Sequence, residues 1–255
     1  MIIRVISLMV ISTFFAACSQ KKGQQHDDYE IADRKIVVDG NIKDWQSISP
    51  IKVEGRGHLW IGQGLTEAQW EGNDDLSFNW RAAHHDEKLF FLFEVKDDTL
   101  SNFDQQYAWL NDCIEIYVDP ESSGGSRITG IGADNTFEDR IGKQMRGYEM
   151  QFLPSRPPKV FVDDSKGVYY TNAEQNSAFK EQWHGEVVTK KTEKGYLMEI
   201  AFAVPGSDFQ SGQELGLDVA VCDDDGKGRK SLLLWSGDKG EFWVTMDNFK
   251  KMALK

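Results

Sequence analysis

The stretch W-L-N-D-C-I-E-I-Y-V-D-P, Trp109 to Pro120, alternates strictly once past Asp112. Ile114, Ile116 and Val118 fall on one face of a strand, and Cys113, Glu115 and Tyr117 on the other. A carboxylate in the middle of so strongly β-forming a run is costly to bury without a partner. The face carrying Glu115 must therefore meet something polar: solvent, a metal or a hydroxylated ligand. An aromatic ring and an acid–amide pair, Trp109, Asn111 and Asp112, stand at the entrance to this strand.

Similar strand signals recur along the chain. Leu76 to Ala82 alternates Leu76, Phe78 and Trp80 with polar neighbours, turns at Asp86-Glu87-Lys88, and continues as Leu89 to Val95. Lys35 to Val38, Tyr148 to Leu153, Val160 to Val162, Trp183 to Thr189, Gly195 to Ala203, Gly216 to Cys222 and Leu232 to Trp235 are further candidates. Helical periodicity is weak; Val204 to Gln210 is read as a brief helical turn. Many short strands separated by turn residues, with no βαβ rhythm, predict an all-β fold, an antiparallel β-sandwich of immunoglobulin-like or jelly-roll-like two-sheet architecture. Two glycine-rich stretches look inserted, Glu54 to Asn73 with Trp60 and Trp70, and Glu121 to Gly147.

The first residues address the chain. Arg4 precedes an apolar run, Val5 to Phe15, that ends in Ala16-Ala17-Cys18. A span needs about 20 apolar residues, so residues 1–17 read as a signal peptide. A cysteine directly after two alanines predicts a lipoprotein signal with Cys18 as the lipidated residue; plain secretion with an unmodified cysteine is the alternative. Residues 18–34 are polar and aperiodic, a flexible tether, and residues 35–255 form the sandwich. The expected location is the bacterial cell envelope, lipid-anchored at the outer membrane or cell surface.

The formal charge of −12 is spread rather than blocked. Nucleic acid, which needs a basic stripe, is disfavoured, whereas calcium or a neutral polysaccharide is compatible. Cys113 and Cys222 both sit in predicted strands; a disulfide and two buried thiols both fit. Glu115 and Asp119, four residues apart in a strand, stand about 13 Å apart, too far for a glycosidase pair. No G-x-S-x-G, H-E-x-x-H or phosphate loop occurs. Trp45, Trp80 and Trp235 are read as core. Asp97-Asp98 and Asp223-Asp224-Asp225-Gly226 form oxygen-rich turns, and Asp98 and the Asp223 turn are candidate calcium ligands.

Four segments, in order, carry a resemblance to the family 9 carbohydrate-binding modules: I-V-V-D-G-N-I-K-D-W from Ile36; F-F-L-F-E-V-K-D-D-T-L ending at Leu100; the Trp109 stretch; and G-Y-L-M-E-I-A-F-A-V-P from Gly195, followed by L-G-L-D-V-A-V-C-D-D-D-G-K-G-R. The terminal F-W-V-T-M-D-N-F-K-K-M-A-L is similar to the family's closing strand. The resemblance spans the mature domain and implies a sandwich that binds sugar without catalysis. It places Trp109 and Trp243 as two rings clamping a sugar, with Glu115, and Asn111 or Asp112, bonding its hydroxyls, and it implies structural calcium. The pattern departs where the family commonly has a sugar-contacting arginine, here Leu153, and a glutamine and an asparagine, here Ala220 and Cys222. Trp60 or Trp70 from the inserted loop are candidate replacements. The expected partners are a poly- or oligosaccharide, the membrane through the lipid, and secreted glycan-degrading enzymes. Two alternatives stand beside this reading. One is a haem b-binding sandwich using Met145, Met150 and His184; the other is a ligand-free scaffold lipoprotein.

Overall fold

The computed structural model of the chain describes residues 29–101, 107–128, 145–162, 171–237 and 240–255. Their strands are β1 Tyr29–Asp33, β2 Ile51–Val53, β3 Leu76–His85, β4 Lys88–Asp97, β5 Cys113–Asp119, β6 Tyr148–Leu153, β7 Lys159–Val162, β8 Thr171–Asn172, β9 Glu186–Thr192, β10 Gly195–Ala203, β11 Glu214–Asp223, β12 Ser231–Leu234 and β13 Lys250–Leu254. One layer runs β8-β7-β6-β5-β11-β13, with β12 also paired to β11; the other runs β3-β4-β10-β9, with β2 paired to β3. β1 joins the layers, parallel to β13 on one side and to β3 on the other. The fold is the expected β-sandwich.

Alternation explains the layering. The inner faces of β5 (Ile114, Ile116, Val118), β11 (Leu217, Val219, Val221), β3 (Phe78, Trp80), β4 (Phe91, Phe93) and β10 (Met198, Ile200, Phe202) form one buried cluster. Trp80 and Trp235 lie in it edge to face, 4.7 Å between centroids. Two local devices set register. Asp86, at φ 52°, turns β3 into β4 where His85 pairs with Lys88, a left-handed conformation that Asp tolerates. Gly195, at φ 129°, opens β10 beside β4; a Cβ there would lie 2.3 Å from the Val95 carbonyl.

Both layers are also covered outside. On the β10 layer, Trp45, Ile36, Phe90, Leu92, Leu197 and Ala201 pack together. Glu199 of β10 accepts from Trp45 Nε1 at 2.7 Å and from the Asp39 and Gly40 amides, fixing the D-G-N turn.

Three expectations are corrected here. Tyr29–Asp33 was assigned to the tether but forms β1. Its only fully buried apolar residue is Ile31, too little periodicity to read, and its stability comes from two neighbouring strands. Lys35 to Val38 is not a strand, because Ile36 and Val38 instead cap the outer cluster of the β10 layer. Val204 to Gln210 forms a turn rather than a helix, with Ser207 N donating to Val204 O. Among the described residues, helical turns lie instead at Ile42–Trp45, Arg56–His58, Ala108–Leu110 and Ala178–Gln182. The leader and Cys18 lie outside the described residues.

Candidate functional site

The outer face of β5 gathers the chemistry. Cys113, Glu115 and Tyr117 share it. Register sets Cys222, Ala220 and Asp218 of β11 opposite them, and Gln151 and Glu149 of β6 opposite Glu115 and Tyr117. All seven residues of β5 are buried, so this face is covered rather than open. A hydrogen-bonded network offsets the cost of burying its polar groups. The Tyr117 hydroxyl lies 2.7 Å from Glu115 Oε2 and 3.1 Å from Glu149 Oε1. Gln151 Nε2 donates to Glu149 Oε1 at 2.7 Å, and Arg127 Nη2 to Glu149 Oε2 at 2.8 Å. Glu115 is 2% exposed; burial, then the Glu149 charge, raises its pKa to about 7 against the pull of Arg229 and Tyr117.

An aromatic wall stands on this floor. Trp60 meets Phe242 and Trp243 edge-on at 5.8 and 5.4 Å, and Phe242 meets Trp243 at 5.2 Å. Trp60 Nε1 donates to the Gly240 carbonyl. The Arg229 guanidinium lies 5.6 Å from the Trp60 ring centre and donates to Gln63 Oε1. Trp109 rides on a single 3-10 turn, Ala108–Leu110, and stacks on Tyr107 at 4.5 Å and 14°. Trp109 and Trp243 are both part-buried and pack against the same apolar cluster, which includes Trp60, Leu153, Ala220 and Cys222. The chain therefore brings the two expected tryptophans to one face of one sheet.

The other expected contacts act from behind. Asn111 is buried and its Nδ2 donates to the Tyr107 carbonyl, holding the turn that presents Trp109. Asp112 accepts from the amides of Ser101 and Asp224, both at 2.7 Å. Of the two inserted tryptophans, Trp60 joins the site, whereas Trp70 enters the inter-sheet core with Nε1 donating to the Leu76 carbonyl. Tyr107 and Arg127 went unread in the sequence, Arg127 because it sits in a glycine-rich insertion without periodicity; Arg229 reads there as a structural ion-pair partner for Glu115.

Oxygen ligands gather next to Trp109. One carboxylate oxygen each of Asp97, Asp112 and Asp223 lies within 4.8 Å of the others. Asp97 Oδ2 and Asp223 Oδ1 are buried and accept no hydrogen bond. Burial and neighbouring carboxylates raise Asp112 and Asp223 to about 8 and Asp97 to about 6. Buried carboxyl oxygens of this kind, once their protons are displaced, fit a hard cation such as calcium. Asp98, the expected ligand, is exposed; β4 turns Asp97 to the side of Phe93 and Val95, and its neighbour outward. A second acidic group, Glu71, Asp75 and Asp225, is filled by the chain's own cation: Lys230 Nζ lies 2.9, 2.6 and 2.8 Å from them.

Met145, Met150 and His184 are not gathered. Met150 packs inside the inter-sheet core, and His184 lines a cleft beside His84 and His85 on the other layer. Cys113 and Cys222 are buried free thiols.

Asp218, on the same outer face, is fully buried with Oδ1 accepting from the Val219 and Ser236 amides and Oδ2 accepting nothing. Burial, partly offset by those bonds, lifts its pKa to about 7 from 3.8. The folded state then holds a proton that the unfolded chain has lost. This stabilising contribution is full below about pH 4 and disappears as pH rises through about 7. Asp218→Asn is therefore expected to gain stability relative to the parent as pH rises through that window. The slope is up to about 1.4 kcal/mol per pH unit, read from paired denaturant titrations.

The carbohydrate family 9 binding domain-like family matches residues 56–133 and 159–255. Among solved structures, a family 9 carbohydrate-binding module from Caldicellulosiruptor kristjanssonii in complex with cellotriose superposes with TM-score 0.62 at 16% identity, covering 89% of this chain and 93% of that one. The glucose complex of a family 9 module from the same organism gives TM-score 0.62 at 16% identity, covering 89% and 95%. At this identity these structures bear on the fold. No curated protein sequence matches the chain.

Proposed function

This chain belongs to the carbohydrate family 9 binding domain-like family, and from that premise we propose that it is a non-catalytic sugar-binding module of the bacterial cell envelope. The observation that carries the reading is the convergence of Trp60, Trp109 and Trp243 on one outer sheet face above a polar floor. A sugar ring presents axial C–H bonds on its faces and hydroxyls on its rim. Indole planes take the faces, and charged or amide groups take the rim. Tyr107 stacks on one face of Trp109 and holds the ring where it borders the apolar cluster. Arg229 and Gln63 supply rim groups beside Trp60, at a face where Leu153 and Ala220 offer none. Glu115 serves from the floor, where its charge faces Arg229.

Calcium is proposed at Asp97, Asp112 and Asp223, where it would neutralise the buried oxygens and fix the chain on either side of Trp109. Lipidation at Cys18 would hold the module at the outer membrane or cell surface, presenting glycan to separately encoded degrading enzymes.

The test is isothermal titration with glucose and cellotriose, backed by a glycan array, on the parent, Trp109→Ala and Trp243→Ala proteins. Each substitution is expected to remove about 1–2 kcal/mol of stacking, roughly tenfold in affinity. A parent that binds no arrayed glycan, or variants that bind as the parent does, would overturn the reading.

A further inference from the structure

We propose that Cys113, Cys222 and Glu115 form a binding site for one thiophilic divalent cation of the Zn2+ or Cd2+ class, distinct from the acidic group beside Trp109. The two thiols are directly opposed across β5 and β11, and Glu115 is the next residue on the same face of β5. One ligand atom from each lies within 4.8 Å of the other two. The Cys222 Sγ to Glu115 Oε1 separation is 3.6 Å. A tetrahedral zinc with Zn–S near 2.3 Å and Zn–O near 2.1 Å has ligand-to-ligand edges of about 3.5–3.8 Å, so the Cys222–Glu115 edge already stands at the required spacing and Cys113 lies within a small adjustment of it.

The surroundings also suit a cation. Tyr117 holds the second oxygen of Glu115 at 2.7 Å, the outer-shell bond that aims a ligating carboxylate. Beside that pair on β6, Gln151 Oε1 is buried and accepts no hydrogen bond, an available oxygen on the floor of the same face. Charge closes as well. Two thiolates and a carboxylate carry −3, a divalent ion brings +2, and the guanidinium of Arg229, which bonds to the Cys222 thiol, supplies the last positive charge. Binding releases the two thiol protons to solvent. Arg229 is part-exposed and stands on the β11–β12 turn. Register brings these ligands together, so no C-x-x-C spacing announces them.

The experiment titrates the mature chain, reduced and freed of metal, with Cd2+ and with Co2+, in parallel with Cys113→Ser, Cys222→Ser and Tyr117→Phe. Expected is a sulfur-to-metal charge-transfer band in the ultraviolet that saturates at one equivalent per chain, with Ca2+ in excess to fill the carboxylate site. Co2+ should add the visible absorption of tetrahedral coordination. The charge-transfer band should be lost or halved in each serine variant, and affinity should fall 10–100-fold in Tyr117→Phe, whose ligands are intact. Circular dichroism confirms that each variant is folded. Absence of the band while a thiol assay in denaturant counts both cysteines free would overturn the proposal. So would its persistence in both serine variants, or a Cys113–Cys222 cystine in protein recovered from an exporting host.

Discussion

Adding a chelator such as EDTA to the calcium-loaded protein is expected to lower its melting temperature by about 5–10 °C. An ion held at 100 times its dissociation constant adds about 2.7 kcal/mol to folding. In a domain of this size each kcal/mol moves the midpoint by about 2–4 °C. The physical ground is the set of oxygens that lack partners. Asp97 Oδ2 and Asp223 Oδ1 are buried without a donor, and Asp112, with an oxygen within 4.8 Å of theirs, is wholly buried. Three carboxylates in one dry volume either hold protons or repel each other. The neighbouring group, Glu71, Asp75 and Asp225, escapes this because Lys230 is covalently present there. Asp112→Asn should reproduce the chelator-treated midpoint, and chelator should then have no further effect. Binding is measured by calorimetry with Ca2+; a midpoint indifferent to both chelator and Ca2+ would remove calcium from these residues. Because Asp112 also fixes the Ser101 and Asp224 amides, loss of the ion should loosen the segment leading into Trp109 and weaken sugar binding with it.

The layers of the fold were legible because alternation is a local property. Ile114, Ile116 and Val118 could be assigned to the inner face of a sandwich from spacing alone, and the structure places them there. Glu115 shows how far such reading extends. Its alternation foretold polar company, which it has in Arg229, the cation the sequence offers for it, but nothing local shows that Tyr117 and Cys222 complete that company in place of solvent. Those neighbours come from three segments of the chain, joined by strand register and by a turn that carries no period. Which of Asp97 and Asp98 turns inward was illegible for a similar reason: at a strand end, one residue decides whether a carboxylate faces the core or the solvent. β1 was missed because five residues with one buried isoleucine carry too little pattern. The pairing of Trp109 with Trp243 came from family resemblance and from nothing local. What puts both rings on one apolar cluster is long-range packing, including a side chain from an insertion that read only as polar.

That side chain is Arg127, and Arg127→Met is expected to be the most damaging single substitution in the site. The guanidinium is fully buried. Its Nη2 pairs with Glu149 at 2.8 Å, its Nε donates to the Trp243 carbonyl at 2.6 Å, and it lies 5.8 Å from the centre of the Tyr117 ring. Its own amide donates to the Val244 carbonyl. Removing the cation takes a buried charge partner from Glu149, which sits beside Glu115 and also meets Tyr117 and Gln151. Breaking a buried pair from one side costs about 3–5 kcal/mol, a large part of the 5–15 kcal/mol that holds a domain folded. The double variant Arg127→Met with Glu149→Met removes both charges and should recover much of that loss, since an apolar pair of similar volume is often neutral. Recovery of function should not follow. Both variants lose the bond that holds the Trp243 backbone, so affinity for whichever glycan the parent binds should stay reduced even where the melting temperature returns. Equal recovery of stability and affinity in the double variant would show that Arg127 balances charge without placing the Trp243 ring.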